Sequence, residues 1–130
     1  MGKRAQILTI SNTTNKSKYN IHDRIYQFIL PVIKLVNTLP KTQSNIIIIN
    51  QLLRCVTSMG ANDQEADGTL TRKDFTHCYT IVRKEGKETV FWLSLIADTN
   101  ESLKPRMDSI IQEGKELVAI ISSIINKTKI

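Results

Sequence analysis

The 130-residue chain reads as all-α, an antiparallel up-down-up-down four-helix bundle. Three observations carry that expectation. Apolar residues recur at steps of three and four along four successive segments, the spacing that lines one face of a helix. Short breakers around Pro40, Gly68 and Asn100 separate the segments, so neighbouring helices must fold back on each other. Apolar residues make up 41% of the chain and aromatics only 5%, which suits an aliphatic helical core better than a sandwich of sheets.

Residues 1–19 contain SNTTNKSKYN and no sustained period, and they read as a polar tail ahead of a bundle domain over residues 20–130. From Ile21, the positions Ile25, Phe28, Val32, Leu35 and Leu39 continue at helical spacing, giving a first helix that ends near Leu39-Pro40. Pro31 lies inside it and should kink it unless neighbouring packing absorbs the lost hydrogen bond. The run Ile46, Ile47, Ile48, Ile49 has strand propensity, but Leu52, Leu53, Val56 and Met59 extend it over some twenty residues. Length therefore decides for a helix from about Ser44 to Asp67, stopped by Gly68. Thr71 and Asp74 resemble a capping box for a third helix, from about Arg72 to Asp98. Pro105 suits a first turn, and Met107, Ile110, Ile111, Leu117, Ile121, Ile124 and Ile125 carry the fourth helix nearly to the end.

The net charge of +6 is unevenly placed. Lys3, Arg4, Lys16 and Lys18 precede the first acid, Asp23, and the remaining residues hold 14 basic against 12 acidic side chains. The body is nearly balanced and the tail is basic, so a nucleic-acid partner would meet the tail first. Cys55 and Cys78 lie in apolar surroundings with no CxxC spacing, as buried free thiols of a reducing compartment do. The apolar part of MGKRAQILTI is too short for a secretory leader, and no run of about 18 apolar residues exists. A cytoplasmic protein with no membrane partner is expected.

The informative stretch is RCVTSMGANDQEADG, a polar stripe inside an otherwise apolar helix. Arg54, Ser58, Asn62 and Glu65 fall at steps of four, four and three and share one face. On the third helix Cys78, Ile81, Glu85, Glu88, Trp92 and Leu95 alternate steps of three and four, an a/d seam with two carboxylates in its middle. Buried charge is costly unless paired, so Arg54, Ser58 and Asn62 are expected to face Glu85 and Glu88 in a polar core network with Glu65. Glu65, Glu85 and Glu88 could in principle bridge metals. Di-metal bundles place a His three residues after a Glu, which neither His22 nor His77 does, and Arg54 supplies positive charge already. No metal or other cofactor is expected. Ser58, Cys55, Cys78 and His77 lie in no nucleophile motif, and GANDQEADG lacks the ending of a phosphate loop, so no enzyme is expected either.

With these residues in hand, the chain resembles the family of small bacterial four-helix-bundle proteins first noticed as products of intervening sequences within 23S ribosomal RNA genes. The resemblance covers about residues 20–127 and rests on Leu39 to Lys41, Gln51 to Gly68, Lys73 to Phe75 and Lys84 to Leu95. Ser58, Ala61, Asn62, Glu65 and Ala66 match its S-[IV]-x-A-N-x-x-E-[AG] segment, as do Glu88 and Trp92-Leu93 on the third helix. The resemblance implies a left-handed antiparallel bundle assembling as a ring-like homo-oligomer, typically a pentamer. A related bundle is the accessory protein of diversity-generating retroelements, which binds a reverse transcriptase and nucleic acid.

Two functions from different classes follow. In the first, an oligomeric scaffold contacts RNA, DNA or a nucleoprotein through Lys3, Arg4, Lys16 and Lys18 of the tail and a stripe of Lys73, Thr76, Thr80, Arg83 and Lys87. No aromatic residue interleaves with that stripe, so contact would be to the backbone and salt-sensitive. In the second, the protein is an interaction module without nucleic acid, because Ile46 to Ile49 face every side of a helix while a bundle covers only one. Those four residues are the expected oligomer interface.

Overall fold

A computed structural model describes residues 20–129 of the chain. The polar N-terminal tail, with Lys3, Arg4, Lys16 and Lys18, lies outside the described residues. Four helices make up nearly all of what is described, and no strand occurs among these residues.

Helix α1 spans Ile21–Val36. Asn20 caps it by accepting a hydrogen bond from the Asp23 amide at 2.8 Å, and Asp23 places an acid in the first turn, where the helix dipole favours it. The helix continues through Pro31, with Phe28 and Val32 buried on either side. It ends three residues before Leu39. Pro40 disfavours the helical conformation at the residue ahead of it, and Thr38 closes the last turn by donating to the Leu35 carbonyl at 2.8 Å. Leu39 nonetheless remains in the core.

Helix α2 spans Gln43–Asp67, capped by the Thr42 side chain, and includes all four consecutive isoleucines. Ile48, Leu52, Val56 and Met59 turn inward together. Helix α3 spans Arg72–Thr99, with Thr71 accepting from the Asp74 amide at 3.1 Å as the capping signature suggests. A short 3₁₀ turn, Glu101–Leu103, leads into helix α4, Lys104–Thr128, whose first turn holds Pro105. Asn45 and Asn100 exchange side-chain hydrogen bonds at 3.1 Å, joining the start of α2 to the end of α3.

Along α2 and α3 the contacts run in opposite directions: Arg54 meets Glu88, Ser58 meets Glu85, and Asp63 meets Tyr79. Helix α4 lies against α3 and α1, with Thr76 reaching Thr128 and Arg24 reaching Glu113. Two buried glycines permit close approaches. A Cβ on Gly114 would come within 2.9 Å of Val90 and 3.2 Å of Phe28, and one on Gly86 within 3.2 Å of Val118.

The third helix differs in phase from the sequence expectation. Its buried residues are Cys78, Tyr79, Val82, Glu85, Gly86, Thr89, Leu93, Ile96 and Ala97. The predicted seam of Ile81, Glu88, Trp92 and Leu95 instead runs along the edge of the core, half-buried. Hydropathy misplaces the line because Gly86 and Thr89 look like surface residues. Gly86 is inside because there is no room for a side chain, and Thr89 is inside because its hydroxyl donates to the Glu85 carbonyl at 2.7 Å.

Candidate functional site

The polar stripe of α2 and the carboxylates of α3 meet at the edge of the α2–α3 contact. Arg54 Nη2 donates to Glu88 Oε1 at 3.1 Å and to Cys55 Sγ at 3.2 Å, while its Nη1 lies 3.6 Å from Glu85 Oε1. Gln51 accepts from Arg54 Nε at 3.2 Å. Ser58 donates to Glu85 Oε2 at 3.1 Å, and Asn62 donates to the Ser58 carbonyl and hydroxyl. The structure thus brings together five of the six residues expected in the network. Glu65 does not join them: it faces solvent one turn beyond Asn62.

The network is less buried than a core layer. The Arg54 side chain is 52% exposed and that of Glu88 35%, whereas Glu85 is buried and Cys55 wholly so. The hydrogen bond with Glu88 holds the Arg54 guanidinium protonated above its usual range, and the same bond lowers the Glu88 carboxyl. Cys55 also contributes, donating its thiol to Glu88 Oε1 at 3.4 Å. Burial first, and that hydrogen bond second, push the thiol up to about 11, so it is neutral at ordinary pH.

Two basic hollows lie between α3 and α4. One is lined by Lys73, Thr76, His77, Thr80, Thr128 and Lys129, and the other by Lys87, Val90, Lys115 and Val118. Lys73 and Lys87 are exposed and Arg83 half-buried. Lys115, Lys129 and His77 were not part of the expected stripe. They come from a different helix or from a non-basic position, and only the fold brings them beside Lys73 and Lys87.

Of the four isoleucines expected at an oligomer contact, the structure splits two from two. Ile46 is 47% and Ile47 61% exposed, while Ile48 is buried in the core and Ile49 half-buried. Ile48 is covered within the chain, so its place in the expected interface is corrected.

One polar cluster has no counterpart in the sequence reading. Asp63, 1% exposed, accepts from the Tyr79 hydroxyl at 2.6 Å, and its Oδ1 lies 2.8 Å from His22 Nδ1. His22 Nε2 stands 3.4 Å from Asp67. The cluster ties the first turn of α1 to α2 and α3, and it edges an open groove lined by Tyr26, Ile29, Gly60 and Ala61. Its members are 16 and 41 residues apart, a separation at which no local spacing signals contact.

The family of 23S rRNA-intervening sequence proteins matches residues 17–123. The chain belongs to this family. The matched span contains the whole Arg54–Glu88 network and both exposed isoleucines, as well as Lys73, Lys87 and Lys115 of the two hollows, while Lys129 lies beyond it. Among solved structures, the chain is similar to a protein of unknown function from the S23 ribosomal protein family of Bacteroides thetaiotaomicron. The two are 31% identical with a TM-score of 0.74, over 82% of this chain and 98% of that one. Among curated proteins, none matches.

Proposed function

We propose that this family member is a non-enzymatic scaffold, an up-down-up-down bundle assembled as a ring-like homo-oligomer, that holds RNA or DNA by its backbone along the two α3–α4 hollows. One observation carries the nucleic-acid reading. Lys73 and Lys129, with the hydroxyls of Thr76, Thr80 and Thr128, line one hollow between α3 and α4, Lys87 and Lys115 line a second between the same helices, and no carboxylate lines either. None of those lysines makes an ion pair among the described residues. From Lys73 to Lys87 the helix advances roughly 21 Å, a distance that spans several phosphates of one strand. The lining holds no Phe, Tyr or Trp on which bases could stack, so the contact is to phosphate and tolerant of sequence.

A second observation supports assembly. Ile46 and Ile47 are adjacent in α2 and therefore point about 100° apart, giving two exposed apolar faces rather than one. Two different faces suit a head-to-tail contact, which closes into a ring. The alternative without nucleic acid keeps the assembly and replaces the strand by a protein partner, such as a reverse transcriptase.

Filter binding of a single-stranded RNA at about 50 and 200 mM salt tests the reading, with the affinity expected to fall steeply between them. The double change Lys73→Gln with Lys87→Gln should weaken binding and flatten the salt slope by about two contacts. No retention even at the lower salt would overturn the nucleic-acid reading and leave the protein-interaction one.

A further inference from the structure

The Arg54 network leaves an imbalance that assembly and nucleic-acid binding do not use. Two carboxylates, Glu85 and Glu88, share one guanidinium, that of Arg54. Glu85 is 8% exposed, and its Oε1, fully shielded from solvent, accepts no hydrogen bond. A buried carboxylate oxygen whose only charged neighbour, Arg54 Nη1, stands 3.6 Å away without a hydrogen bond is costly and can take a cation. One ligand atom from each of Cys55, Glu85 and Glu88 lies within 4.8 Å of the other two.

We propose that Cys55 Sγ and one carboxylate oxygen each from Glu85 and Glu88 form a three-ligand site for a zinc-class divalent cation, clamping α2 to α3.

The geometry suits that ion. Bonds of about 2.0–2.3 Å at tetrahedral angles set ligand atoms about 3.5 Å apart, and Cys55 Sγ already lies 3.4 Å from Glu88 Oε1. The donor set, one sulfur and two oxygens, favours a borderline metal over magnesium or calcium, which take oxygen alone. It differs from the all-carboxylate set that the sequence suggests, because Glu65 is out in solvent and Cys55 is in its place. On binding, the thiol proton leaves to solvent and the thiolate takes the metal. Two positive charges then meet two carboxylates and a thiolate, and with Arg54 the cluster is neutral. Arg54 is the competitor for the site. Its side chain is 52% exposed and can swing outward, leaving the fourth position to water.

The test is a titration of the full-length, chelator-treated protein with Co2+, read by thiolate-to-cobalt absorption in the near ultraviolet and by tetrahedral d–d bands. One equivalent should saturate the bands, and Zn2+ should abolish them. Cys78→Ser, which leaves Cys55 as the sole thiol, should keep the bands, and Cys55→Ser should lose them. Glu88→Gln should weaken the metal at least tenfold, whereas Arg54→Met, which removes the competitor, should tighten it. A purely structural network predicts no such gain. No thiolate band in the unmutated protein, or loss of the band in folded Cys78→Ser, overturns the proposal. The RNA-binding test above is unaffected by either result, since its hollows lie between α3 and α4.

Discussion

Tyr79 lies wholly inside the bundle, and burial together with its hydrogen bond to Asp63 pushes its phenol well above the usual range. An unfolded Tyr loses its proton near pH 10. Above about that pH the unfolded state binds fewer protons than the native one, so stability is fully present below it and falls as pH rises further. The slope is about 1.4 kcal/mol per pH unit once the unfolded phenol is ionised. Tyr79→Phe removes this source of alkaline sensitivity. Denaturant midpoints from about pH 9 to 11 should fall more steeply in the unmutated protein than in the variant; equal slopes would assign the loss to other groups. Nothing in the sequence around Asp63 marks it as the buried acceptor of this bond, because a carboxylate within GANDQEADG reads as one more polar residue. Its partners His22 and Tyr79 lie on two other helices, and only the packing shows that the three converge.

At the scale of the helix, most of the architecture is written in local chemistry. The caps at Thr71 and Gly68, the apolar line from Ile48 to Met59 and the helical reading of the isoleucine run need only neighbours in sequence. Phase is harder. On α3 the residues that look apolar, Ile81, Trp92 and Leu95, lie at the edge, while Gly86 and Thr89 lie in the core for reasons of space and local hydrogen bonding. A rule that counts hydrophobic side chains turns the helix by one position and buries Glu88 too deeply. The consequence is measurable. Met59 is fully buried, and Met59→Ala should cost about 2–5 kcal/mol. Glu88→Ala breaks a contact with a half-exposed Arg54 that water can replace, and it should shift the denaturant midpoint much less. A Glu88→Ala loss equal to that of Met59→Ala would place the pair in the core after all.

For the whole molecule, the isoleucines at the start of α2 set the strongest demand. The fold covers Ile48 almost entirely and Ile49 in part, yet leaves Ile46 and Ile47 about half in water, next to each other on a helix. Full burial of an Ile side chain is worth roughly 1.5–3 kcal/mol, so covering these half-exposed ones gains on the order of 1 kcal/mol each. One such contact is too weak to hold two chains against the entropy of association, but a closed ring repeats it at every junction and adds the surfaces around it. Light scattering of the purified protein should therefore give several times the chain mass of 14.8 kDa. Ile47→Lys places a charge where the contact forms and should lower that mass while leaving helical circular dichroism intact. Ile48→Lys is the control with the opposite signature, because a charge at that core position must damage the fold before it damages assembly. A monomer at micromolar concentration in the unmutated protein would defeat the ring, and would leave the two exposed isoleucines to a partner other than a second copy of the chain.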